Sequence, residues 1–173
     1  MKAVGLVLGA GGVVGGAFHA GTLKALAETT GWDPRTAELV IGTSAGSLTA
    51  AALRAGMSAD DQYARVTGGS LSSQGRQLTA RLRGERGDGT VPLRPRLPRW
   101  PVPASPRMAV TALLRPWDPR PGAALAGLLP AGSLPTEGIG DRVRDLYEGI
   151  RWPDQPLWIT ALRLRDGARV VFG

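Results

Sequence analysis

The chain has 173 residues, of which 43% are hydrophobic, enough for one domain with a sizeable core. It contains no cysteine and a single histidine, His19, which excludes disulfides, thiolate metal sites, cysteine nucleophiles and multi-histidine metal centres. The net charge is +7, and the excess lies in one segment, where ten arginines from Arg76 to Arg120 stand against only Glu85, Asp88 and Asp118.

Ala3 to Leu8 reads as a short buried strand. Six glycines follow between Gly9 and Gly21. Each weakens a helix by roughly 0.5–1 kcal/mol relative to alanine, so the uncharged stretch up to Lys24 is expected to be a strand and tight turn, not a membrane span or leader. A cytoplasmic location is the corresponding expectation. A helix is predicted over Ala17 to Glu28, broken by Gly31, Asp33 and Pro34. Glu38 to Ile41 reads as a second strand, and Ala45 to Arg54 as an alanine-rich helix that Gly56 can terminate. Strand, helix, strand and helix in this order predict a parallel sheet covered by helices.

Ser58-Ala59-Asp60-Asp61 resembles a capping box and predicts a short helix through Val66. From Gly68 to about Pro135 the pattern dissolves into Gly, Pro, Ser and Arg, read as an insertion whose apolar islands are Met108 to Leu114 and Ala123 to Leu129. Ile139, Val143, Leu146, Tyr147 and Ile150 then recur at helical spacing. Pro156 to Leu164 reads as a strand, Arg165-Asp166-Gly167 as a hairpin turn, and Ala168 to Phe172 as its partner. The chain stops inside this apolar run, so the domain is expected to be incomplete at its C-terminus.

Chemistry concentrates at Gly42-Thr43-Ser44-Ala45-Gly46, a G-x-S-x-G sequence between a strand and a helix. Such a turn exposes a serine hydroxyl, and its flanking glycines leave room for backbone and substrate. A serine attacking a carbonyl needs donors for the oxyanion, and the Ala45 amide at a helix start and the Gly11 and Gly12 amides of the upstream turn are the candidates. It also needs a base. His19 is the only imidazole, but its place between Phe18 and Ala20 reads as packing, which leaves a carboxylate acting with the serine as a dyad. The upstream Gly9-Ala10-Gly11-Gly12-Val13-Val14-Gly15 also superficially resembles a dinucleotide loop. The spacing fails, because G-x-G-x-x-G counted from Gly9 meets Val14 at its sixth position.

Leu6-Val7-Leu8-Gly9-Ala10-Gly11-Gly12-Val13-Val14-Gly15, His19-Ala20-Gly21 and Gly42-Thr43-Ser44-Ala45-Gly46 together resemble the N-terminal half of a bacterial patatin-like phospholipase. The resemblance is specific from Ala3 to about Arg65 and loose from Thr136 to Gly173. It implies a three-layer α/β/α fold with a mostly parallel sheet and helices on both faces, incomplete here, and one partial domain over 1–173 with an insertion at about 68–135. It further implies hydrolysis of phospholipid or another lipid acyl ester through an acyl-enzyme, without metal or cofactor, by a Ser-Asp dyad. Carried over, Ser44 is the nucleophile, Gly11 and Gly12 belong to the oxyanion turn, and Gly15 closes the loop. Two positions depart from the family pattern: Ala10 replaces a glycine, and Val14 replaces an arginine or lysine.

The family's aspartate lies in an Asp-Gly-Gly or Asp-Gly-Ala motif, whose letters Asp166-Gly167-Ala168 fit. Their setting between two apolar runs reads as the hairpin that precedes the true motif. Asp166 is therefore the dyad base only as a secondary candidate, and the chain itself is expected to lack that base. The arginine segment has two readings, an insertion of biased composition or a patch attracted to an anionic membrane surface, with Trp100 and Trp117 suited to the interface. No nucleic-acid motif accompanies it. Alternatives to the hydrolase are a non-catalytic lipid-binding relative and a nucleotide-binding α/β module.

Overall fold

The computed structural model describes residues 3–83, 105–106, 110, 114, 147, 152–163 and 166–173. The helix expected near 139–150 and both apolar islands fall largely outside these residues. The chain divides into two compact units, one of Met1–Thr90, Gly138–Thr160 and Val171–Gly173 and the other of Val91–Glu137 and Ala161–Val170.

In the first unit the elements run β1 (Gly5–Leu8), α1 (Gly12–Thr30), a single 3-10 turn (Pro34–Thr36), β2 (Leu39–Gly42), α2 (Ala45–Arg54), α3 (Ala59–Thr67) and α4 (Ser73–Arg83). β3 (Leu157–Leu162) and β4 (Arg169–Phe172) complete a four-stranded sheet in the order β1-β2-β3-β4. β1 pairs parallel to β2 with Leu6 opposite Val40 and Leu8 opposite Gly42, and β2 pairs parallel to β3 with Val40 opposite Leu157. This is the α/β arrangement with a mostly parallel sheet that the strand and helix alternation predicts.

Leu8, Leu23, Val40, Ala50, Leu53 and Leu157 form the centre of the core. Burying a side chain such as Leu53 stabilises by roughly 1.5–3 kcal/mol relative to exposure. Ala50 packs in this core, where its small side chain lets α2 lie close to β1 and β2, while Ala52 is buried against Met57 and Leu78. α1 ends on Gly31 in the left-handed region at φ 68, its amide bonded to the Ala27 carbonyl at 2.9 Å.

Arg54, at the end of α2, gathers the starts of two strands. Its guanidinium donates to the carbonyl oxygens of Ala37 and Pro156, each at 2.8 Å, and of Arg35 at 3.0 Å. Burial lowers the pKa of this guanidinium from its ordinary value, while the neighbouring Tyr147 acts weakly the other way. The Pro156 carbonyl also accepts from the Val40 amide at 3.2 Å, so the guanidinium reinforces the β2-β3 pairing where it begins.

Two elements differ from the sequence expectation. The first helix begins at Gly12, not Ala17, with Gly11 as its N-cap residue, so the glycine-rich stretch is the first turn of a helix and not a free loop. Within the segment read as irregular, Ser73–Arg83 is a helix. Ser72 starts it by accepting a hydrogen bond from the Gly75 amide at 2.9 Å, and Leu78 packs with Ala52 and Met57. Its apolar residues are few, which is why hydrophobic periodicity did not reveal it.

In the second unit the described turn after β3 is tight. The Arg163 amide donates to the Ala168 carbonyl at 2.9 Å, and Gly167 takes φ 66.

Candidate active site

β1 and β2 run parallel and end together, with Leu8 opposite Gly42. Each strand end leads directly into a glycine-bearing turn and a helix. The Thr43 amide donates to the Leu8 carbonyl at 3.1 Å, which ties the serine turn to the end of β1. Carboxyl ends of parallel strands are where open α/β sheets place their sites.

Ser44 is exposed and has φ 53 and ψ −119, and it is the only described non-glycine residue at positive φ. A serine in that region is strained by roughly 1–3 kcal/mol, held there by its surroundings. The surroundings are visible. Gly46 donates its amide to the Thr43 carbonyl at 2.9 Å, and the Ser47 hydroxyl donates to the Ser44 carbonyl at 2.6 Å. A Cβ on Gly46 would lie 2.1 Å from the Leu8 carbonyl oxygen, and one on Gly42 would lie 2.6 Å from the Ser47 Cα. Only glycine fits at either position, because α2 begins in contact with two strand ends.

Ala45 is the first residue of α2, and the first amides of a helix have no acceptor within it. The same holds for the start of α1 at Gly12, which has φ 58 and open space beside it. Gly11 is required for a different reason. A Cβ there would meet the Gly15 Cα at 2.6 Å, while the Gly15 amide bonds the Gly11 carbonyl at 2.8 Å. Val14, which stands where the resemblance leads one to expect a basic side chain, is 81% exposed.

His19 is buried in α1, as its apolar neighbours predict. Asp166 lies in the turn between β3 and β4. Its carboxylate takes hydrogen bonds from Arg163 Nε and Nη2, the shortest at 2.7 Å, and from the Ala168 amide at 3.1 Å. Among the described residues no cluster of acidic or histidine side chains is arranged to hold a metal ion, and no described helix is long and apolar enough to cross a membrane.

One neighbour of the serine turn was invisible in the sequence. Thr160 on β3 brings its hydroxyl into hydrogen-bonding contact with the Thr43 hydroxyl and within 3.5 Å of the Gly42 carbonyl oxygen. The two threonines are 117 positions apart, and no local motif marks the pairing.

A parallel sheet whose adjacent strands both end in glycine turns, one carrying a strained exposed serine at a helix start, defines an α/β protein with a strand-to-helix serine turn. The particular family is given by comparison with family models. The model of the patatin-like phospholipases matches residues 6–116, and the chain belongs to that family. Membership associates it, at family level, with hydrolysis of lipid acyl esters. Neither a curated protein nor a solved structure matches the chain.

Proposed function

We propose that the chain carries the nucleophile and oxyanion machinery of a serine acyl hydrolase acting on phospholipid or another lipid acyl ester. The observation that carries this reading is Ser44, exposed at φ 53 on a strand-to-helix turn within a patatin-like domain. Its Oγ attacks the ester carbonyl carbon as a base takes the hydroxyl proton. The amides of Gly11, Gly12 and Ala45 hold the oxyanion, the ester C–O bond breaks, and the alcohol leaves with that proton. Water then attacks the acyl-serine, releasing the fatty acid and restoring Ser44.

The base in this scheme is an aspartate. Asp166 is the candidate that the chain offers, but its ion pair with Arg163 and its place in a strand-connecting turn favour a structural role. The chain alone is accordingly expected to turn over little or no substrate, since a serine hydroxyl without a base is a poor nucleophile at neutral pH. Its expected setting is the cytoplasm, peripheral to a membrane.

The test is covalent labelling by a fluorophosphonate together with an ester assay, on the chain, on Ser44→Ala and on Asp166→Asn. Labelling confined to Ser44 supports the reading, and labelling that persists in Ser44→Ala overturns it. Turnover that Asp166→Asn abolishes without unfolding would make Asp166 the base.

A further inference from the structure

A groove of about 580 Å³ runs between the outer edge of β1 and α1. Leu6 to Gly11 form one wall, and Phe18, His19, Leu23 and Leu26 contribute to the other; no lysine, arginine, aspartate or glutamate lines it. Val7, Val14 and Phe18 also line the groove and are 73%, 81% and 69% exposed.

The polar groups of this groove decide what it accepts. The carbonyls of Val4 and Leu8 accept from Glu38 at 2.9 Å and Thr43 at 3.1 Å, so the even-numbered residues of β1 turn their main-chain groups toward β2. Main-chain direction alternates along a strand, which turns the amides and carbonyls of Gly5 and Val7 to the outer side of β1, where Val7 lines the groove. Among the described residues β1 is the edge of the sheet, with no strand on that side. His19, only 8% exposed, has no hydrogen-bond partner for its Nδ1. A hydrocarbon chain filling the groove would bury these groups without partners, at a penalty that apolar contact does not remove. An extended polypeptide would fill the same space and supply alternating amides and carbonyls to the edge.

We propose that the groove is a strand-addition site, in which an extended, uncharged polypeptide segment from another chain pairs with the open edge of β1 and lays apolar side chains against α1. β1 has none of the lysine, proline or bulge devices that protect an edge. The proposal does not depend on Ser44 being a nucleophile.

The probe is an acetylated, amidated peptide of alternating valine and threonine with a lysine at each end, titrated into the ¹⁵N-labelled full chain. The control is the same peptide N-methylated at every central amide, which keeps the side chains and removes the donors. Saturable shifts at Gly5, Val7 and His19 are expected, with affinity at least about tenfold weaker for the methylated peptide and for Val7→Pro, which removes an edge donor outside the β1-β2 ladder. Should Val7→Pro unfold the chain, the methylated peptide, which removes the matching donors from the other side, carries the same comparison. Equal affinity of the two peptides overturns the proposal, as does the absence of saturable shifts up to about 1 mM. Displacement of the peptide by sodium laurate that gives the same shifts at lower concentration also overturns it, in favour of a hydrocarbon ligand.

Discussion

The Asp61 carboxylate occupies the space where a side chain on Gly75 would begin, 2.2 Å from the position of such a Cβ. That contact joins α3 to α4. Asp61 is 3% exposed and accepts from the Ser72 amide and hydroxyl, both at 2.7 Å, and from the Ser58 hydroxyl at 2.8 Å. Burial alone would raise its pKa, but these bonds and the Arg35 charge outweigh it and hold the carboxyl below the ordinary 3.8. Asp61→Asn should destabilise the fold by about 1–3 kcal/mol at neutral pH, measured by urea unfolding. A carboxylate depressed by folding stabilises above its unfolded pKa and loses that contribution as pH falls through its folded value. The gap between wild type and Asp61→Asn should therefore be full above about pH 4 and narrow below it. A gap that widens in acid would contradict the assignment.

Gly46→Ala should be among the most damaging substitutions of its size. Its methyl would collide with the Leu8 carbonyl oxygen, which is itself held by the Thr43 amide, so neither backbone can retreat. Overpacking of this kind costs roughly 1–3 kcal/mol, and a backbone obstacle places it at the upper end. Thermal unfolding checks this against Gly16→Ala, where the added Cβ meets nothing within 4 Å. Equal melting temperatures would disprove the contact.

Ser44→Gly should raise stability while destroying reactivity. Glycine takes positive φ without the strain that serine carries, so a gain of about 1 kcal/mol is expected, reduced by the greater freedom glycine has when unfolded. The paired measurements are a denaturant midpoint and fluorophosphonate labelling. A loss of stability in Ser44→Gly would mean that the serine side chain supports the turn, contrary to a site built around an exposed hydroxyl.

The serine turn was legible in the sequence because its marks are local, an apolar run, glycines on both sides of Ser44 and an alanine-rich helix, although Leu8 and Thr160 also hold it. The start of α1 was not. Gly12, Gly15 and Gly16 argue against a helix by propensity, yet the close approach of Gly11 to Gly15 needs glycine and builds the first turn. Within the segment read as irregular, Gly75 lies inside α4, where it admits the Asp61 carboxylate. Thr160 beside Thr43, and Arg54 against the carbonyl of Pro156, arise from chain segments about a hundred positions apart, and no pattern within a window reports such contacts.

If the arginines from Arg76 to Arg120 serve a membrane surface, binding to anionic vesicles should fall steeply with added salt, because charges more than about 8 Å apart are screened at physiological ionic strength. Sedimentation with vesicles of anionic and of neutral phospholipid reads this directly. Equal binding to both would show that the arginines reflect composition alone.

β3 takes its place beside β2 only after a very long detour of chain. Thr43 and Thr160 meet across 117 positions, and the Arg54 guanidinium closes the same loop at the other end of the strands. Non-local pairing of this kind slows folding, so the β1-α1-β2-α2 segment should assemble first and recruit β3 afterwards. The entropy of closing a loop rises only logarithmically, with each doubling costing about 0.6 kcal/mol. The third position in the sheet therefore tolerates wide variation in the length of what precedes it, provided that Val40 still finds Leu157 and Arg54 still finds Pro156.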